Sequence, residues 1–374
     1  MDDGVVSRLI EQAKHLRRQG LLDQAAALLA ADGDIADRRV GYCYFSWMAE
    51  LDEPRALQEA VRECARRLHG ADRPPDPTYL SRLARQAEFA SLETAFLEGL
   101  LAMSAAAPTE DEQVLRSRKG LGRRIAFRQE ALPSWRGHAT LISLGLNCTP
   151  WDLLNTWGFR RPDEYISLYT PFAHAVHRLG AVVNALSTDF DHYCRPDQLT
   201  AVETIAGQIA PARTDAQAIW NHQRGAYWTD NRFARLRENL ARKIDAFRLA
   251  CRHEDAVFIM GKAPVDFPKK PIGFLEDLNR RLEGFTGRAR NRIMFWDEFA
   301  DEQARLRVDD WTLVLNVRMP GAGGAWYDPD KDDGMAFEES CATALLASLS
   351  DWGLLHPAED VGRPAAAQAV APGP

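Results

Sequence analysis

At 374 residues, with 46% hydrophobic and 26% charged side chains, the chain is long enough for two domains and has the composition of a globular protein. Its net charge of −7 argues against general nucleic-acid binding, and no apolar run approaches the ~20 residues that span a bilayer. The start, Met1-Asp2-Asp3, lacks the basic-then-apolar pattern of an export signal, so a cytoplasmic location with reduced thiols is expected.

Residues 1–110 read as an all-helical domain. Apolar residues recur at three- and four-residue steps, as in Leu9, Ala13 and Leu16, in Leu57, Val61, Cys64 and Leu68, and in Leu80, Leu83, Ala87 and Ala90. The opening EQAKHLRRQGLLDQAAALLAA predicts two helices joined at Gly20, with small residues where they cross. It resembles a tetratricopeptide hairpin, a unit that stacks into a solenoid and implies a peptide or protein partner on its concave face. The alternative is an irregular helical domain that caps its neighbour.

Residues 111–137 read as a basic connector, in which Arg116, Arg118, Lys119, Arg123, Arg124 and Arg128 lie around two glycines. Such a cluster either receives the phosphates of a nucleotide, a nucleotide sugar or coenzyme A, with Arg118, Lys119, Arg123 and Arg124 as the cofactor-binding candidates, or is a solvated charged stretch.

Residues 138–357 change character and alternate apolar runs with helical stretches. Leu141 to Leu144, Ala256 to Met260, Arg292 to Trp296 and Trp311 to Val317 are strand candidates. The intervening helices, from about Asp230 to His253 and from Gly273 to Phe285, predict an α/β fold with a mostly parallel sheet. Functional residues then belong just past the carboxyl ends of strands, the position of Cys148, Gly261-Lys262, Asp297-Glu298 and Arg318. A last helix is expected over Met335 to Leu354, followed by a disordered tail, 358–374.

Cysteine provides the sharpest local signal. The six cysteines form no CxxC pair, which excludes a structural zinc site of finger type. Cys148 alone stands where a buried strand meets a helix start, flanked by the cap-type residues Asn147 and Thr149 and by Pro150. The unpaired N–H groups of such a turn favour a thiolate; a small buried residue in a tight turn explains the same position. His174 and His177, three apart, would share a helical face, though without a third ligand. Asp328, Asp330, Asp332 and Glu339 echo a calcium loop whose glycine is displaced, and an acidic helix start accounts for them equally. No metal site is expected.

The stretch Ser143-Leu-Gly-Leu-Asn-Cys148, with Leu153-Leu154 and Gly158-Phe159-Arg160 after it, resembles the opening motif of an uncharacterised bacterial family described as papain-like cysteine peptidases. Thr188 to Tyr193 and Asn239 to Ile244 are similar to later segments of that family, so the likeness runs from about Leu141 to Trp326. It implies Cys148 as nucleophile and His222, in a polar segment between aromatic residues, as its base. The alignment shifts if anchored on Gly225, and Tyr227 to Asp230 then replace the histidine. His192, flanked by Asp189 and Asp191, is the second candidate base. Asp163 to Ile166 depart from the family pattern.

The expectation is therefore a cysteine-dependent acyl-transfer enzyme, hydrolase or acyltransferase, acting on a small-molecule, peptide or glycan substrate, in surface-polysaccharide metabolism by analogy. No cofactor is required, and coenzyme A is a candidate acyl donor. The rival is a non-enzymatic interaction protein whose degenerate papain-like domain keeps the cysteine for packing.

Overall fold

The computed structural model describes residues 2–71, 74–134, 139–204, 207–215, 217–261, 271–297, 299–307, 309–320 and 327–355. His138, Lys262, Glu298 and the expected tail at 358–374 lie outside them.

Up to residue 130 the chain is helical throughout: α1 (Asp3–Arg18), α2 (Leu22–Asp32), α3 (Arg38–Glu50), α4 (Pro54–His69), α5 (Pro77–Phe89), α6 (Thr94–Ala106) and α7 (Glu112–Glu130). Local chemistry sets the boundaries. Gly20, at φ +77°, makes the turn between α1 and α2. The carboxylates of Asp37, Asp76 and Asp111 accept the first-turn N–H groups of α3, α5 and α7, and prolines begin α4 and α5. Each helix packs on its neighbour in sequence, and α3 also packs on α5, and α5 on α7.

The approach of α3 to α5 needs a glycine. A Cβ on Gly41 would overlap the Tyr79 hydroxyl and the Ile35 carbonyl oxygen that this hydroxyl donates to, at 2.8 Å. Gly41→Ala is expected to lower stability by about 1–3 kcal/mol through overpacking, despite alanine's better helix propensity. A denaturant midpoint equal to that of the parent would refute this.

The basic stretch is not a connector. It forms α7, because its six cations find partners within the fold and the helix can then bury one face. Arg124 and Arg128 are buried, and Leu121 and Ile125 join the helical core.

The remainder comprises β1 (Thr140–Ser143), α8 (Thr149–Thr156), α9 (Pro162–Ser167), β2 (Val176–His177), α10 (Leu179–Ser187), β3 (Leu199–Glu203), β4 (Ile209–Arg213), β5 (Ala218–Ile219), α11 (Ala226–Ala250), β6 (Ala256–Gly261), α12 (Pro271–Thr286), β7 (Arg292–Asp297), β8 (Phe299–Arg307), β9 (Thr312–Arg318) and α13 (Asp332–Asp351). A five-stranded sheet runs in the order β1-β6-β7-β9-β8, parallel except for β8. The expected strands thus form a mostly parallel sheet in chain order, with β1 at one edge. Alternation along the strands divides the core. Ile142, Phe258, Met260, Ile293 and Phe295 pack with α11 and α12, whereas Leu141, Val257, Ile259, Met294 and Trp296 pack with α8 and α13. The first of these faces is continuous with the core of α1–α7.

Further features differ from the sequence expectation, among them the antiparallel edge strand β8. A second, antiparallel sheet, β2-β5-β4-β3, is inserted between α9 and α11. Helix α11 begins at Ala226 rather than Asp230 and is broken at Asp230 to Phe233, where Asn231, Arg232 and Phe233 have positive φ. Among the described residues no helix is long and apolar enough to cross a membrane.

Candidate functional site

The site is built on α8. At the end of β1 the chain turns through Gly145 (φ +75°) and Leu146 (φ +27°) before Cys148 takes the N-cap position of the helix. A non-glycine residue at positive φ is uncommon and persists only where its surroundings hold it. Here they do: Leu144 N–H donates to Ile259 O (2.7 Å), Gly261 N–H to Gly145 O (2.9 Å) and His177 N–H to Leu146 O (2.8 Å). The Asn147 carboxamide oxygen accepts from Thr149 N–H at 3.1 Å, which is the expected cap chemistry displaced by one residue. Cys148 is 8% exposed. Gly261 and Asp297 end β6 and β7 on the same carboxyl edge of the sheet.

Buried arginines hold the helix itself. Arg128 donates to the carbonyls of Asn155 and Thr156 at the C-terminal end of α8, both at 3.0 Å, where the helix dipole favours a cation. Arg160 lies 3.9 Å from the centre of the Trp151 ring and donates to Leu141 O at 2.9 Å. Burial pushes the two guanidinium pKa values down, to about 10 and about 9.

One turn after Cys148, Asp152 faces a cavity of about 230 Å³ between the helical unit and the α/β unit. Asp152 Oδ1 lies 3.3 Å from His174 Nε2, and His174 Nδ1 lies 2.8 Å from the Tyr169 hydroxyl. That hydroxyl donates to Asp52 Oδ1, from the turn between α3 and α4. Asp52 Oδ2 accepts from Lys243 Nζ (2.5 Å) and Gln223 Nε2 (2.7 Å). Burial is the largest influence on Asp52 and works against its charge, but the Lys243 ammonium, His174 and the hydrogen bonds from Lys243 and Tyr169 together hold the carboxyl below its ordinary pKa.

His222, the expected base, stacks on His174 with ring centres 4.7 Å apart and an interplanar angle of 18°. Burial, followed by the charge of His174, pushes its pKa down to about 3, so the ring is neutral at physiological pH. His222, His174 and Asp152 all line the cavity, with Tyr165 and Tyr169 as aromatic wall; Cys148 is not part of its lining.

His192, the second candidate, is half exposed on the surface, 3.5 Å from Asp191 and 3.3 Å from Arg195, and takes no part in the cavity. His177 is closer to the cysteine loop than its sequence suggested. Rather than sharing a helical face with His174, it lies on β2, buried against Tyr193, with its pKa pushed down by burial to about 3. A β-carbon built on Gly145 would sit 3.3 Å from His177 Nδ1.

The four basic residues expected to hold phosphates are partnered within the chain. Arg118 donates to Ser104 Oγ and Ala107 O, Lys119 pairs with Asp332 and Arg123 with Glu339. Arg124 is enclosed by Glu88, Asp330 and Glu338. Of the residues that echoed a calcium loop, Asp330, Asp332 and Glu339 are thus counter-charges of α7, and Asp328 accepts from Asp330 N–H. Among the described residues no group of three His, Cys, Asp or Glu side chains could hold a metal ion.

Comparison with protein-family models, with curated proteins and with solved structures finds no match to this chain.

Proposed function

We propose that this chain is a cysteine-dependent acyl-transfer enzyme in which Cys148 is the nucleophile and His222 the base, with His174 and Asp152 positioning it. The observation that carries the reading is the spacing on α8. Cys148 and Asp152 stand about one turn apart, roughly 6 Å along the axis, and Asp152 already contacts the histidine on which His222 is stacked. The resemblance of the SLGLNC segment to papain-like peptidases points to the same cysteine, as does the strained Leu146 beside it.

In this reaction His222, neutral and able to accept, takes the thiol proton as the Cys148 sulfur forms a bond to the acyl carbon. The first-turn N–H dipoles of α8 favour both the thiolate and the oxyanion of the tetrahedral adduct. Collapse breaks the bond to the leaving group, which departs with the proton from the imidazolium. Water, or an acceptor hydroxyl, then attacks the thioester and regenerates the thiol. Apolar Met48, Leu57 and Phe89 beside the polar groups suit the cavity to an acyl chain. A coenzyme A donor would have to present its phosphates elsewhere than on α7, whose cations are already paired.

Iodoacetamide at neutral pH, with mass mapping of each cysteine, tests the nucleophile. Burial raises the thiol pKa of Cys43 and Cys194, and of Cys64 and Cys251 to about 12, so these four should react slowly. Cys148 is expected to be alkylated at least tenfold faster than any of them. A folded protein whose Cys148 resists the reagent would sink the enzyme reading.

A further inference from the structure

The cavity network contains more acceptors than a neutral histidine can serve. Asp52 is surrounded by donors: Lys243 and Gln223 on one oxygen and the Tyr169 hydroxyl on the other. It therefore acts only as an acceptor and is ionised. The single hydroxyl proton of Tyr169 is thereby committed to Asp52, so the tyrosine oxygen can only accept from His174 Nδ1, 2.8 Å away. On the opposite side of the ring, His174 Nε2 faces the carboxylate of Asp152 at 3.3 Å. Asp152 is itself one-fifth exposed in the first turn of α8. Both ring nitrogens therefore face acceptors, and a neutral imidazole has only one N–H to give.

We propose that Asp52 and Tyr169 position His174 with a proton on both ring nitrogens, as the cationic member of a charged–neutral histidine pair whose neutral member is His222. The stacking fits this division. Two imidazolium rings 4.7 Å apart would repel, whereas one cation against one neutral ring does not. Among the described residues, His222 makes no hydrogen bond that would fix its tautomer and faces the cavity. The groups that face the pair come from five directions: Asp152 on α8, Tyr165 on α9 and Tyr169 just after it, Asp52 with Glu50 and Glu53 at the α3–α4 turn, Arg224 beside His222, and Lys243 on α11. Glu53 pairs with Arg242, and Glu50 with Arg17, so both are balanced away from the rings.

The consequence is that the helical unit completes the site. Asp52 reaches His174 through Tyr169 across 117 and then 5 residues of sequence. It also anchors Lys243, 191 residues further on. The catalytic meaning of this arrangement rests on the enzyme reading above, but the protonation pattern does not.

Nitrogen-15 NMR of the histidine rings, on the full chain between pH 6.5 and 8, reads that pattern directly. In the parent protein His174 is expected to show two protonated nitrogens and His222 one. Tyr169→Phe removes the acceptor at Nδ1 and should leave a neutral ring protonated at Nε2. Asp152→Asn should leave a neutral ring protonated at Nδ1, because the new amide can donate to Nε2. Opposite tautomers in two variants that both retain their thermal transition are not produced by a loosened structure. A parent His174 with one proton, or a doubly protonated ring that persists in Tyr169→Phe, would overturn the proposal. Alkylation of Cys148 is scored separately: a doubly protonated His174 with an inert Cys148 removes only the enzyme reading, and a reactive Cys148 with a singly protonated His174 removes only this one.

Discussion

Arg124→Met is expected to destabilise the protein by about 3–5 kcal/mol, the range found when one partner of a buried ion network is removed. Arg124 is 1% exposed and lies where α5, α7 and α13 meet. Its Nε donates to Glu88 at 2.5 Å, and Asp330 and Glu338 lie at 3.3 and 3.7 Å. Burial opposes the charge, but Glu88 and then Glu338 outweigh it and hold the guanidinium above its ordinary pKa. Methionine keeps much of the volume and leaves two buried carboxylates without their shared cation. Glu338 retains the Trp157 indole N–H (2.9 Å) and the Tyr327 hydroxyl (3.0 Å), whereas among the described residues Glu88 keeps Arg85 alone, at 3.5 Å. Most of the loss should therefore come from Glu88, and the double variant Arg124→Met with Glu88→Met should recover a large part of it. Urea unfolding of the three proteins measures this. A loss below about 1 kcal/mol in the single variant would mean that the network is solvated and the account wrong.

Acid should unfold the protein early, and His222 should contribute a measurable share. The folded pKa values of His177 and His222, about 3, lie below the ordinary value of 6.5 in the unfolded chain. Between those values the unfolded chain binds protons that the folded chain refuses. Stability is therefore highest above pH 6.5 and is lost as the pH falls towards 3. Each such histidine contributes a slope of about 1.4 kcal/mol per pH unit within the window. Unfolding free energies at pH 7, 6 and 5 for the parent and for His222→Gln isolate one share. Between pH 6 and 5 the variant is expected to lose roughly 1 kcal/mol less than the parent. Equal pH dependence in the two proteins would show that His222 takes up its proton alike in the folded and unfolded chains, and the account would be wrong.

The strands of the parallel sheet could be read from the chain because each is a short continuous apolar run buried on both faces, such as Ala256 to Met260. The small antiparallel sheet could not. Its β2 and β5 are two residues each, too short for any period to register. The basic segment of α7 misled for a different reason. A run of arginines is identical on paper whether water or carboxylates surround it, and the acids that neutralise Lys119 and Arg123 lie more than 200 residues away in Asp332 and Glu339. The site divides in the same way. Cys148 was visible because strand, turn and cap are local, and its N-cap position follows from neighbours within two residues. His222 follows from the likeness and from its polar, aromatic-flanked segment, whereas nothing local in the sequence pairs it with His174. His174 carried one clue, its spacing to His177, which suggested a shared helical face; the fold sets the two on different structures.

By itself, the sequence determined the helical first part, the strands of the parallel sheet and the cysteine at a helix start, all of which depend on side-chain periodicity and on hydrogen bonds between near neighbours. Only the tertiary structure decided which charges are paired and which histidine stacks on which. Those outcomes depend on groups such as Asp52, Tyr169 and Lys243, which burial brings together from three separate segments. Once water is removed, an unmatched charged group is costly to keep, so the fold favours arrangements that match charges, and that matching is a property of the packed chain rather than of any stretch of it.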